Sequence, residues 1–464
     1  MSLRPDLARV SLVSLGCPKN LVDSEGALGE IAAAGHEIVA DQALADVIVV
    51  NTCGFIESAR EESTEAIAQA VKYKKRGSCK AVVVIGCLSQ RFDLHDSDID
   101  ACFGIEHSGK LGDAIDQVLA GGRIHDVACP TEQWLEPDSR MISTPPWTAY
   151  LKVSDGCSNR CAYCAIPDIR GPYRSRPESL ILDEARRLAD AGVREIVLVG
   201  QDLTQYGEDL RHPERSGRHP ELDSGSNRMP DQVRHDVSLA GLVRKLNEIE
   251  SLRWIRLMYC YPTKVTPDLI DAIASCKRVA KYIDLPLQHA DDGVLNAMNR
   301  RGSADVYEKV IDDLRAACPE IAIRTTFIVG FPGETEAAFG KLLAFVEKMR
   351  FDRLGAFVYS PEEGTPAAKL GRRVPRKVAE ARYDRLMRLQ QGISLERNRR
   401  FVGEKTEVLL EGSTQEGVFG RSYRDAPEID GVVYLSGSDA EPGQFVEARI
   451  VDATEYDLVG KSES

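Results

Sequence analysis

The chain has 464 residues, 43% hydrophobic and 28% charged, with twelve cysteines and a formal net charge of −13. These are globular values, and no run of about 18 uninterrupted apolar residues occurs, so the sequence offers no membrane-spanning helix. The acidic balance argues against wholesale binding of nucleic acid, which needs clustered Lys and Arg.

At roughly 150 residues per domain the length suggests about three domains. The start, Met1 to Asp6, lacks the apolar run and cleavage site of a secretory signal, so a cytoplasmic location is expected. Cysteines in a reducing compartment are expected as thiols or metal ligands, not disulfides.

Residues 1–135 alternate short apolar runs with helical patterns: Val10–Leu15, a helix near Leu21–Ala34 closed by Gly35, Val47–Val50, a helix near Glu57–Arg76, then Ala81–Ile85. That order predicts an open parallel α/β sheet. After a Pro-bearing stretch around Pro130–Pro146, residues 145–375 supply six strand candidates: Tyr150–Val153, Glu195–Val199, Trp254–Met258, Tyr282–Leu285, Ile321–Val329 and Gly355–Tyr359. Helical patterns lie between most of them, which predicts a partial (β/α)6 barrel with its chemistry at the C-terminal strand ends. Gly207–His235 is polar and aperiodic, an insertion. An Arg-rich linker helix over 376–400 reads as a solvated face or an RNA contact. Thr406–Leu410, Gly417–Arg421, Val432–Leu435 and Phe445–Ile450 then predict a small antiparallel β-barrel over 401–464. This last segment carries fourteen acidic residues against five basic ones.

Cys157, Cys161 and Cys164 are separated by three and then two residues, just after the first barrel strand. Three soft ligands so spaced suit three irons of a cubane cluster and leave the fourth iron open. A structural zinc site is the alternative, and it needs a fourth ligand. With Tyr163 ahead of the last cysteine, the motif resembles that of the radical S-adenosylmethionine superfamily. The resemblance implies that the open iron chelates the amino and carboxylate groups of methionine. Gly200-Gln201 and the turn Gly330 to Glu334 end the second and fifth strands. In the superfamily such turns pass near the adenosyl group, so Tyr163, Gly200, Gln201, Gly330 and Gly333 are the candidate contacts of S-adenosylmethionine.

Cys17, Cys53 and Cys87 each lie just beyond the C-terminal end of a predicted parallel strand, where an open α/β sheet forms one crevice. Together they predict a second three-thiolate site. Singly, each could be a small buried hydrophobe, the reading kept for Cys102, Cys129, Cys260, Cys276 and Cys318. Cys79 lies at the wrong end of its strand to join them.

A three-cysteine sheet domain, a radical barrel and a C-terminal barrel together resemble the methylthiotransferases over nearly the whole chain. In that family the small barrel is called a TRAM domain. The resemblance implies two 4Fe–4S clusters and two uses of S-adenosylmethionine, one to methylate sulfur and one to abstract hydrogen from an unactivated C–H bond. The string Gly16 to Glu25 (GCPKNLVDSE), with Asn51 to Ile56, is similar to the branch that modifies an aspartate of ribosomal small-subunit protein twelve. The other branch modifies an adenosine of transfer RNA. The acidic tail favours a basic ribosomal protein, free or on the ribosome, over RNA phosphates, although acidity alone also suits a solvated surface. The resemblance further implies a monomer served by an electron donor such as flavodoxin or ferredoxin. A non-catalytic iron–sulfur carrier is the alternative from another class.

Overall fold

In a computed structural model, residues 7–94, 96–131, 134, 136, 139–211, 237–415 and 417–463 are described. Most of the expected insertion, from 212 to 235, lies outside them. No helix among the described residues is long and apolar enough to cross a membrane.

The first sheet comprises β1 (Arg9–Ser14), β2 (Glu37–Ile38), β3 (Val47–Thr52), β4 (Ala81–Gly86), β5 (Ala101–Phe103) and β6 (Ile124–Asp126), all parallel in the order β2-β1-β3-β4-β5-β6. Strands β3 and β4 are buried along their whole length. Their alternation divides two cores: Val47 and Val49 pack under α1 (Pro18–Ala33) with Ala27 and Ile31, while Ile48 and Val50 pack under α2 (Glu57–Lys75) with Ile67 and Val71. A near-continuous apolar run is what a strand covered on both faces requires.

The second sheet is β7 (Thr148–Lys152), β10 (Glu195–Val199), β11 (Trp254–Leu257), β12 (Val279–Gln288), β13 (Ala322–Val329) and β14 (Arg353–Val358), with a short antiparallel ladder of β8 (Ser154–Asp155) and β9 (Arg174–Ser175) after the first strand. Its six strands are parallel in the order β14-β13-β12-β11-β10-β7, and β7 does not pair with β14. The barrel is therefore open on one side. Its inner face carries Tyr150, Val197, Val199, Met258, Tyr282 and Ala322, and it is capped by Val22 from α1 and by Ala426 from the C-terminal domain.

The last domain closes into a barrel, β15 (Lys405–Thr414), β16 (Gly417–Ser422), β17 (Val433–Ser436), β18 (Phe445–Ala453) and β19 (Leu458–Ser462), in the order β15-β16-β17-β19-β18. All pairs are antiparallel except β17 with β19, which run parallel. Strand β19 is not among the sequence expectations, since Leu458–Ser462 is short and has no aromatic. The helix Arg376–Arg399 is only partly a solvated face: Leu386 and Ile393 enter the barrel core, and Arg397 binds Asp352 at 2.7 Å.

Candidate functional site

In the first sheet, Cys17, Cys53 and Cys87 follow β1, β3 and β4, three adjacent strands, at their C-terminal ends. Cys17 is the N-cap of α1 with Pro18 in the first turn, and Cys87 begins α3 (Cys87–Arg91). A small polar lattice fixes these ends. Asn20 donates to Leu15 O at 2.6 Å, Asn51 donates to Asn20 O at 3.0 Å and to Ser24 Oγ at 2.8 Å, and the Cys53 amide donates to Ser63 Oγ at 2.9 Å. Gly16 has φ +93, and a Cβ there would stand 2.8 Å from Cys53 Cβ, so only glycine lets β1 and β3 bring their cysteines together.

The thiols feel one another. Burial chiefly pushes Cys87 up to about 11, with Arg170 opposing and Cys17 and Cys53 adding. Burial also raises Cys53. At Cys17 burial pushes the same way, but Lys19 and Arg170 outweigh it and hold the thiol below its ordinary value.

In the barrel, Cys157, Cys161 and Cys164 occupy the loop between β8 and α4 (Ile166–Arg170), at the C-terminal rim. The loop is pinned at several points: Cys157 N donates to Gly171 O at 3.2 Å, Cys164 N to Cys161 O at 3.0 Å, and Ala162 N to Met298 O at 2.7 Å. Arg300, buried, points at Cys161 Sγ at 3.7 Å and Tyr163 Oη at 3.5 Å and lies over the Tyr261 ring at 4.3 Å. Burial pushes Cys157 up to about 11 and Cys164 higher still.

A charged junction joins the two sets. Arg170, 1% exposed, donates to both oxygens of Asp155 at 3.1 Å, to Asp23 at 2.8 Å, to Asn20 Oδ1 at 3.3 Å and to Cys87 Sγ at 3.4 Å. Lys152 bridges Asp23 and Asp155, and Arg174 bridges Asp155 and Glu106. Beyond it, Glu362 after β14 accepts from Arg60 and, at 3.2 Å, from Arg91 of the first domain. The helix that follows the barrel cysteines thus carries the cation that touches a cysteine of the other set.

The remaining sequence candidates lie around this rim. Gln201 donates to Asp155 Oδ1 at 2.9 Å, while its own oxygen is buried without a partner. A Cβ on Gly200 would strike Ser154, and one on Gly330 would strike Ala379 of the helix Arg376–Arg399, whereas Gly333 has open space around it. Glu334 folds back to accept from the Gly330 and Phe331 amides, and His289 lies 3.8 Å away from it. Cys79 and Cys102 sit in the core under α2; Cys260, Cys276 and Cys318 sit in the barrel core; Cys129 is exposed. Asp23, Asp155, Arg170 and Arg300 are not among the sequence candidates. Asp155, two residues ahead of Cys157, and Asp23, inside the string that follows Cys17, have a local cue; Arg170 and Arg300 have none.

The residues suit iron–sulfur clusters. Each thiol set lies beside a buried guanidinium, which stabilises anionic sulfur. Among the described residues no three Cys, His, Asp or Glu meet as a single metal ion requires. A cubane gives each thiol its own iron and takes a wider set. A cavity of about 560 Å³ shares Asp23, Lys152 and Asp155 with the junction, but none of the six cysteines lines it.

The sequence matches the model of the Radical SAM superfamily over residues 151–346, that of Uncharacterized protein family UPF0004 over 9–102, and that of the TRAM domain over 402–462. It is similar to proteins named ribosomal protein uS12 methylthiotransferase RimO. The relative from Syntrophotalea carbinolica is 43% identical, with 98% of this chain and 96% of the relative covered. That from Desulforudis audaxviator is 45% identical, with 98% and 97% covered. Among solved structures, the radical S-adenosylmethionine methyltransferase TsrM from Kitasatospora setae, with tryptophan and an S-adenosylmethionine analogue bound, superposes with a TM-score of 0.55 at 14% identity over 88% of this chain and 79% of that one. At that identity the likeness is one of fold.

Proposed function

The chain belongs to the ribosomal protein uS12 methylthiotransferase family, and from that premise we propose that it inserts a methylthio group at the β-carbon of an aspartate of uS12. The observation that carries the reading is the pair of cysteine triads facing one junction, joined by Arg170, which donates to Cys87 from the helix just after Cys164. Cys157, Cys161 and Cys164 are assigned to one 4Fe–4S cluster and Cys17, Cys53 and Cys87 to a second. When bound, these groups and S-adenosylmethionine would supply one-electron cleavage of a C–S bond and a sulfur for transfer.

The protein's own part is placement and electrostatics. Arg300 and Arg170 hold positive charge against the two thiol sets from buried positions. Tyr163, Gly200, Gln201, Gly330 and Gly333 border the place for S-adenosylmethionine, and Glu334 keeps the Gly330 turn closed by accepting two backbone amides. Cleavage consumes an electron, so a small carrier such as flavodoxin or ferredoxin is the expected donor.

The C-terminal barrel supports the protein-substrate branch. Of its five basic residues, Arg421 and Arg424 are buried in pairs with Glu195 and Asp352 of the radical barrel. Lys405 and Arg449 pair with Glu463. The Asp425 and Asp430 side chains of the same domain are buried as well, so the outer face keeps the acidic excess of the composition, which repels phosphates and attracts a basic protein. The test is the mass of uS12 from a deletion strain. Loss of the methylthio increment is expected; an unchanged mass, with a methylthio nucleoside missing from transfer RNA, would move the chain to the other branch.

A further inference from the structure

We propose that Lys19 is the receptor for the side-chain carboxylate of the target aspartate, an inference that rests on the uS12 reading above. Lys19 is 8% exposed, and its Nζ lies 3.4 Å from the centroid of the Tyr259 ring. Tyr259 follows β11 at the C-terminal rim of the radical barrel, while Lys19 is two residues past Cys17. The ammonium therefore stands between the N-terminal thiol set and the barrel mouth, where a substrate carbon must meet both.

Among the described residues no carboxylate lies within ion-pair distance of it. The other cations buried at this junction are matched: Lys152 and Arg170 by Asp23 and Asp155, Arg174 by Glu106 and Asp155, Arg91 by Glu362. Arg300 has no carboxylate either, but it points at Cys161. Asp284 of β12 accepts from the Tyr259 amide at 3.0 Å and pairs with Arg324 at 2.9 Å. An ammonium removed from water, with the Tyr259 face and the Cys17 thiol as its companions, lacks the carboxylate that usually offsets desolvation. An anion brought in by the substrate completes it.

The placement is also fixed. Pro18 opens the helix, and Asn20, the next residue, is tied to Leu15 O and to Arg170. The β-carbon of aspartate is bonded directly to its carboxyl carbon, so gripping the carboxylate places the reacting C–H within two bonds of a fixed point. Asparagine has the same shape without the charge and is rejected by this device.

The test measures binding of uS12 carrying either the aspartate or asparagine at the modified position, to the anaerobically reconstituted enzyme and its Lys19→Met and Lys19→Arg variants. A charged hydrogen bond of this kind corresponds to roughly 10- to 100-fold, so the wild type should prefer aspartate by that factor. Lys19→Met should bring the ratio to about one by weakening aspartate binding alone, and Lys19→Arg should restore part of it. Iron content and affinity for S-adenosylmethionine should stay unchanged, while the potential of the N-terminal cluster should move with the lost charge in Lys19→Met and hold in Lys19→Arg. The proposal is overturned if the wild type shows no preference or if Lys19→Met keeps it. It is equally overturned if the substitution instead lowers S-adenosylmethionine affinity, which makes the methionyl carboxylate the partner, or shifts the cluster potential while leaving the aspartate-to-asparagine ratio as it was, which makes the cluster the partner. If Lys19→Met loses its iron, the wild-type ratio and Lys19→Arg decide. Failure of the wild type to add a methylthio mass to uS12 would sink the functional reading instead.

Discussion

Replacing Glu195 tests how the C-terminal barrel is held. Glu195 opens β10 at the end of the radical barrel remote from the cysteines, 0% exposed, with Arg256 Nε at 2.9 Å and Arg421 Nη2 at 2.6 Å. Burial alone would raise its pKa, but Arg421 and Arg256 bring it down to about 2 from an ordinary 4.5. At about 1.36 kcal/mol for each pH unit, that gap corresponds to ~3 kcal/mol of native stability. Breaking a buried pair from one side costs a similar ~3–5 kcal/mol. The lower end applies, because Arg421 keeps Glu411 at 2.8 Å and Arg256 keeps Tyr423 O at 2.7 Å.

The sign follows from a depressed carboxyl: the contribution is whole above pH about 4.5 and is lost as pH falls from there through about 2. Calorimetry of Glu195→Ala near neutral pH should show a lower transition, by ~3 °C if the chain melts as one unit at about 2.1 cal/mol/K per residue. An early separate transition is expected if the small barrel undocks first. Cleavage of S-adenosylmethionine should persist while uS12 modification falls. A loss below ~1 kcal/mol, or strict additivity with Arg421→Ala, would refute the reasoning.

Alanine at Cys157, Cys161 or Cys164 should remove about four irons and abolish 5′-deoxyadenosine formation, whereas alanine at Cys17, Cys53 or Cys87 should remove about four and leave it; iron analysis with a single-turnover assay checks both. Gly16→Ala, strained by φ +93 and crowded against Cys53, should cost ~1–3 kcal/mol and empty the N-terminal site alone, as spectroscopy would show. Glu362→Ala leaves Arg60 and Arg91 without their shared carboxylate, so hydrogen exchange should rise over α2 and α3. His107 is held neutral, burial taking it down to about 4 from 6.5. Urea midpoints should therefore fall as pH drops from about 6.5 to about 4, and His107→Asn should remove that slope.

The central strands and both cysteine triads were legible because each signal is local. Glu195–Val199 reads as a strand by its apolar run alone, and a thiol one residue past β3 or β4 is placed by strand geometry. Strands β2, β5, β6 and β19 escaped notice because two to five residues carry too little periodicity. The junction residues were illegible for a different reason. Arg170 meets Asp23 and Cys87 across 147 and 83 residues of sequence, and no spacing rule connects positions so far apart. The surface of the last barrel is legible in sign from its composition, and the burial of Arg421 and Arg424, matched by that of the Asp425 and Asp430 side chains, leaves the excess as it was.

Arg170 makes the two thiol sets one unit rather than two neighbours. Its charge is answered by Asp23 from α1 and Asp155 from β8, one carboxylate from each domain, and Lys152 bridges the same two. Separating the domains would expose or unpair four charges at once, each buried for the most part, so the junction resists opening as a whole. Glu362 closes the far end in the same manner, with two arginines from the first domain on one carboxylate from the barrel. A reaction that passes sulfur from one triad to a carbon activated at the other needs a fixed separation between them. Ion pairs that cross the domain boundary at both ends supply it, whereas an apolar boundary of the same area would allow the domains to slide.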